Sequence, residues 1–287
     1  MLIKGLQKLT LLDFPGRIAC TVFLGGCNMR CPFCHNGSLV LGGGEEISED
    51  ELLAFLASRR GRLSGVCVSG GEPTLHPDLP DLVKKIKDLG FEVKLDTNGT
   101  NPKMLSRLIS DGLVDYVAMD IKNSPEKYAV TAGLDDECSV SRQNRLISDF
   151  DVANAQKQEA MGSESTEESG STIIRECGQA SDNNDTAEGS IPAENLPIME
   201  KIKHSCDILL QNLVDFEFRT TLMRELHSEE DIRAIGKWLS GKEKYFLQTY
   251  RDEGDLLVGG FTSYTPEQTR ELLSVLREYI PNAEIRS

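Results

Sequence analysis

Three cysteines fall within eight residues, Cys27-Asn-Met-Arg-Cys31-Pro-Phe-Cys34, and His35 follows directly. Thiols at such spacing are first of all a metal-ligand set. Three chemistries compete for them. Cys31-Pro-Phe-Cys34-His35 matches the pattern of covalent haem attachment, but that leaves Cys27 idle and normally requires export. Three thiolates with His35 could hold a structural zinc, although His35 adjoins Cys34, too close for the usual ligand pairing. An iron–sulfur cubane normally takes four thiolates, and only three are local here. No other Cys-x2-Cys or Cys-x3-Cys pair occurs, while Cys138, Cys177 and Cys206 stand alone. A cubane on this loop would leave one iron without a protein ligand. Cys20 and Cys67 lie inside apolar, strand-like stretches and read as buried thiols.

Other polar groups stand out at Ser69-Gly70-Gly71-Glu72-Pro73, Asp96-Thr97-Asn98-Gly99, Asp120-Ile121-Lys122 and Arg219-Thr-Thr221. Gly70-Gly71 taken alone is an ordinary turn, and Asn98-Gly99 reads as another. Asp96 and Asp120 would bind a cation or hydrogen-bond a ligand, since two unpaired charges together are costly.

Each group follows a predicted strand. Ile18 to Leu24, Gly65 to Ser69, Phe91 to Leu95, Val114 to Met119, Phe216 to Thr221 and Tyr245 to Thr249 are short, apolar and largely β-branched or aromatic. Helical spacing recurs from the Ser48-x-x-Glu51 capping box, at Pro80 to Leu89, Met104 to Ser110 and Glu229 to Leu239, and from Pro266 to Tyr279. Six strands alternating with helices imply parallel βα units, open or barrel-like, whose ligands bind at the carboxyl ends of the strands. All five polar groups, the cysteine loop included, therefore belong to one face.

The chain has 287 residues and a net charge of −15. From Leu134 to Asn195 there are 14 acidic and 4 basic residues, a balance of −10, and no aromatic residue lies between Phe150 and Phe216. Such a stretch cannot bury enough apolar surface to offset its ordering entropy. Residues 137–195 are read as a disordered acidic insertion, with a weak helix at 140–154, dividing a core of 1–136 and 196–287. The acidic balance argues against nucleic acid as a partner. No apolar run reaches the roughly 18 to 20 residues of a membrane helix, and the N-terminus lacks a signal pattern, so a cytoplasmic location is expected.

Cys-x3-Cys-x2-Cys with an aromatic, Phe33, before the last cysteine resembles the signature of the radical S-adenosylmethionine enzymes. Gly70-Gly71-Glu72-Pro73, after the second predicted strand, resembles that family's segment for the methionine amino group. The resemblance implies a partial parallel (βα)6 barrel within the α/β class. It implies a [4Fe–4S] cluster on Cys27, Cys31 and Cys34, with S-adenosylmethionine chelating the open iron through its amino and carboxylate groups. One electron then cleaves the sulfonium, and the resulting radical abstracts hydrogen, so no acid–base catalytic residue is required.

The opening Gly5 to Phe23, with Asp13-Phe14-Pro15-Gly16, together with Cys34-His35-Asn36, Glu217 to Thr221, Glu225 to Glu230 and Lys244 to Gln248, is similar to the activating proteins of anaerobic ribonucleoside-triphosphate reductase. On that resemblance the partner is a glycyl-radical protein, supplied by a one-electron donor such as flavodoxin or ferredoxin. Phe33 and His35 would face the adenine, and Lys122 would meet the ligand's carboxylate. Asp96, Thr97 and Asp120 would form a monovalent cation site, with Arg219 and His227 near the ribose or the methionine carboxylate. Alanine at Gly71 is expected to press on the methionine moiety while leaving cluster assembly intact. Activation of another glycyl-radical enzyme such as pyruvate formate-lyase, a radical reaction on a small molecule, and a non-catalytic iron–sulfur or zinc docking module remain as alternatives.

Overall fold

The computed structural model describes residues 2–41, 43, 46–134, 197–241, 244–252, 254 and 256–286. The acidic stretch 137–195 and the helix expected at 140–154 lie outside the described residues. One eight-stranded sheet runs in the order β1 Ile3–Thr10, β2 Ala19–Leu24, β3 Gly65–Gly70, β4 Glu92–Thr97, β5 Tyr116–Asp120, β6 Asp215–Leu222, β7 Tyr245–Thr249 and β8 Glu284–Arg286. β1 pairs antiparallel with β2, and every later neighbour is parallel. Parallel strands in sequential order, joined by right-handed crossovers, wind with their helices on one outer side. The result is a mixed α/β, barrel-like sheet whose two edges are β1 and β8.

All six strands read from the sequence are present, and β1 and β8 are additional. β1 escapes sequence reading because its burial does not alternate: Ile3 and Thr10 are buried at its ends while Gln7, Lys8 and Leu9 are exposed. Its register on β2 is also interrupted between Ile3 and Gly5 and between Gln7 and Thr10.

The helices are α1 Gly37–Val40, α2 Glu49–Ser58, α3 Leu79–Asp88, α4 Pro102–Ser110, α5 Tyr128–Ala132, α6 Ile198–Leu209, α7 Glu229–Trp238 and α8 Pro266–Arg277. Capping boxes start α2 at Ser48 with Glu51, α7 at Ser228 with Asp231 and α8 at Thr265 with Gln268. α6 was not anticipated, although its buried Ile202, Ser205, Cys206 and Leu209 follow helical spacing. Among the described residues no helix is long and apolar enough to cross a membrane.

The strands' period of two separates two chemistries. Val66, Val68, Val93, Leu95, Val117, Met119, Phe216 and Phe218 join the apolar core with the helices. The alternate positions, Cys67, Lys94, Asp96, Tyr116, Asp120, Glu217 and Arg219, contact one another on the inner face. Cys20 is buried in the apolar core as expected, whereas Cys67, equally buried, lies on the polar inner face with Lys94 Nζ 3.9 Å from its Sγ.

Candidate functional site

The cysteine loop leaves β2 through Gly25 and Gly26, and the glycine loop leaves β3 through Gly70 and Gly71. The two loops are joined backbone to backbone. Gly71 N donates to Leu24 O at 2.8 Å, Glu72 N donates to Gly26 O at 2.9 Å, and the Asn36 amide donates to Gly70 O at 3.0 Å. Gly70 has φ +118°, and a Cβ there would stand 2.2 Å from Leu24 O. A Cβ on Gly71 would stand 1.9 Å from Gly26 O. Glycine is thus required at both positions by the neighbouring loop. An added methyl at Gly71 would strike the cysteine loop itself, a constraint the sequence did not reveal.

A cavity of about 210 Å³ opens beside these loops, lined by Cys31, Phe33, Cys34, His35, Gly70 and Gly71 on one side. Asp96, Asn98, Asp120, Lys122, Arg219 and Gln248 line the other. Cys27 lies just behind, its Sγ accepting from Met29 N at 3.4 Å and from the Asn98 amide at 3.8 Å. Asn98 therefore does more than form a turn: it ties the end of β4 to a thiol. Burial raises the Cys27 thiol and pushes Cys31 up to about 12, so both hold their protons until a metal's charge displaces them. Phe33 packs edge-to-face on Phe261 at 6.4 Å, with Lys122 Nζ 5.9 Å from its ring centroid. His35 Nε2 is buried without a hydrogen-bond partner among the described residues.

A ladder of alternating charges crosses the inner face: Lys94, Asp96, Arg219, Asp120, Lys122. Lys94 pairs with Asp96, Arg219 reaches Asp96 at 3.3 Å and also pairs with Asp120, and Lys122 meets Asp120 at 2.8 Å. Burial opposes charge on Asp120, yet Arg219 and Lys122 hold it well below the usual carboxylate range. Asp96 is lowered in the same way by Arg219 and Lys94 against burial. Burial would lower Lys122, but the Asp120 carboxylate holds it above its ordinary value. Asp96 and Asp120, which the resemblance implied as a cation site with Thr97, pair here with Lys94, Arg219 and Lys122.

Glu72, Pro73 and His227 sit differently from expectation. The Glu72 carboxylate is fully buried and does not line the cavity. It accepts from Thr74 N at 3.0 Å, Thr97 Oγ1 at 2.8 Å and Asn98 N at 2.6 Å, bolting the glycine loop to the end of β4. Pro73 is buried in the short turn that follows. His227 is also buried, accepting from Met223 N at 3.2 Å on Nδ1 and facing the Lys122 carbonyl at 2.8 Å through Nε2. Burial lowers its pKa, and the two bonds require the neutral Nε2–H tautomer, so it positions the Lys122 backbone. Thr221 lines the cavity with Arg219, as its place at a strand end implied, and Gln248 lines it unannounced. The place of Gln248 at the end of β7 was the available signal.

Among the described residues no three His, Cys, Asp or Glu side chains converge as a single-ion site. Residues 21–140 match the Radical SAM superfamily. The chain carries a radical SAM domain.

Over its whole length the chain is 28% identical to a protein of Methanocaldococcus jannaschii named "Putative glycyl-radical enzyme activating enzyme", covering 96% of that relative. It is 35% identical over 129 residues to the pyruvate formate-lyase-activating enzyme of Clostridium pasteurianum, covering 42% of this chain and 52% of that one. The fold matches Streptococcus suis SuiB bound to S-adenosylmethionine with TM-score 0.51 and 12% identity, over 91% of this chain and 48% of that one. The chain thus spans about half the length of these last two. As a radical SAM enzyme it works with a [4Fe–4S] cluster and S-adenosylmethionine. The observed donors suit both: one buried and two partly buried thiols beside backbone, an imidazole nitrogen without a hydrogen-bond partner among the described residues and a lysine that keeps N–H donors beyond the one given to Asp120.

Proposed function

We propose that this protein is a radical SAM activase that installs a glycyl radical on a partner enzyme, most specifically an anaerobic ribonucleoside-triphosphate reductase. The observation that carries the reading is the joint between the cysteine loop and the glycine loop at one cavity. A metal module alone needs no second loop held against its ligands. The relatives' names support the glycyl-radical class of partner.

Cys27, Cys31 and Cys34 are the proposed cluster ligands, with the Asn98 amide and Met29 N–H hydrogen-bonded to Cys27 Sγ. When bound, the cluster supplies the electron that cleaves the sulfonium of S-adenosylmethionine, and the cleaved cofactor supplies the radical that takes the glycine hydrogen. The chain's part is to bind, orient and exclude water. Gly70 and Gly71 offer backbone to the methionine moiety, and Lys122 offers its remaining N–H donors to the carboxylate. Phe33 and Phe261 wall the cysteine side against water, and His35 offers Nε2 to the adenine or ribose. Glu72, Thr97 and Asn98 keep the two loops in register.

The test is anaerobic reconstitution with S-adenosylmethionine and dithionite, with the reductase as partner and pyruvate formate-lyase as the comparison. A glycine doublet in electron resonance on the reductase alone is expected. A doublet only on pyruvate formate-lyase overturns the partner, and no doublet on either overturns the activase reading. About four irons per chain are expected, and serine at any one of Cys27, Cys31 or Cys34 should remove them.

A further inference from the structure

The connection from β1 to β2 presents an apolar surface that the fold does not use. Leu9, Leu11, Leu12 and Ile18 are 57%, 68%, 85% and 48% exposed. Isolated exposed leucines are ordinary, but four large apolar side chains within ten residues form a patch. The loop that carries them is well anchored. Thr10 Oγ1 accepts from Leu12 N and Asp13 N, both at 3.2 Å, and the Asp13 carboxylate accepts from Thr21. Phe14 is buried against Tyr116, with ring centroids 6.1 Å apart. The anchors therefore fix the loop without drawing on Leu11 or Leu12, where polar side chains would serve folding equally well.

A groove of about 530 Å³ begins at Leu11, Leu12 and Pro15. It passes Arg251 and ends against His35, Asp96, Arg219, Thr221 and Gln248, which also line the site cavity. Whatever lies in this groove reaches the reacting centre. A second copy of the chain seated there would close the site to any substrate. We propose that Leu11 and Leu12, with Leu9 and Ile18 beside them, are the docking surface for the protein substrate, which lays an extended segment along the groove and presses apolar side chains on the leucines. This rests on the activase reading and adds to it a place outside the reaction cavity where the partner is recognised.

The experiment compares the reconstituted full-length enzyme with Leu12→Glu and with the pair Leu11→Glu and Leu12→Glu. Three readouts are taken under dithionite: iron content, 5′-deoxyadenosine formed without partner, and glycyl-radical spins against the concentration of intact reductase. Iron and uncoupled cleavage should match the parent, because neither leucine lines the site cavity. The reductase concentration for half-maximal activation should rise roughly tenfold or more, the scale of burying one leucine side chain, while a short peptide carrying the target glycine is used as by the parent. An unchanged concentration dependence overturns the proposal. So does a parent that sediments as a dimer and becomes monomeric on Leu12→Glu, since the patch would then belong to a second copy. Absence of iron or of uncoupled cleavage in the parent instead defeats the radical SAM reading, independently of the leucines.

Discussion

Gly71→Ala tests whether the two loops form one site. The added Cβ would stand 1.9 Å from Gly26 O, 2.6 Å from Gly26 C and 3.3 Å from the Cβ of Cys27. Real Cβ contacts essentially never fall below 3.0 Å, so the loops must part by about 1.1 Å, the difference between 3.0 and 1.9. The obstacle is backbone, which has no rotamer to yield. Parting also stretches the Glu72 N to Gly26 O bond of 2.9 Å. Overpacking of this kind costs about 1 to 3 kcal/mol of stability. A displacement near 1 Å can cost about a hundredfold in rate, and here it falls on the residue preceding the first cysteine. The expected outcome is a folded protein with reduced iron and with cleavage of S-adenosylmethionine depressed further than iron loading alone explains. Gly259→Ala is the control, because nothing lies within 4 Å of its Cβ position. The assay is iron and sulfide content, 5′-deoxyadenosine formed under dithionite and a thermal melt for each variant. Full iron with normal cleavage in Gly71→Ala would show that the joint between the loops does not govern the site.

Other consequences can be checked in the same way. Asp120→Asn leaves Arg219 and Lys122 facing each other without their shared anion, so denaturant unfolding should show a loss of about 3 kcal/mol. For His227 the folded pKa is depressed by burial, so the unfolded chain binds the extra proton first as pH falls. The stability that neutral His227 contributes is therefore present above about pH 6.5 and declines below it, and His227→Gln should flatten that part of the stability curve measured by urea titration. Replacing 137–195 by a short Gly/Ser joint should leave cluster content and uncoupled cleavage close to the parent, because the entropy of closing a connection depends only weakly on its length. Loss of the cooperative melt in that deletion would show that the boundaries cut into the folded core.

The cysteine loop was legible because its ligands are neighbours in sequence: three thiols within eight residues need no fold to be recognised. The six central strands were legible because they are short segments rich in β-branched and aromatic residues, and the rule that ligands gather at strand ends assembled the site's outline. Pairing was not legible. Arg219 is 99 residues from Asp120 in the chain, and only the register of β5 on β6 sets them side by side. The same holds for Glu72, whose charge invites a ligand in the sequence and is held by Thr97, at the end of β4, and by Asn98 just beyond it. His227 could be placed only once the fold had brought the Lys122 carbonyl, 105 residues away, to its Nε2. Residue type and local spacing thus determined which chemistry this chain can carry and on which face. Strand register decided which charges are answered within the protein and which donors remain for a ligand, because electrostatic pairing depends on distances that sequence separation does not encode.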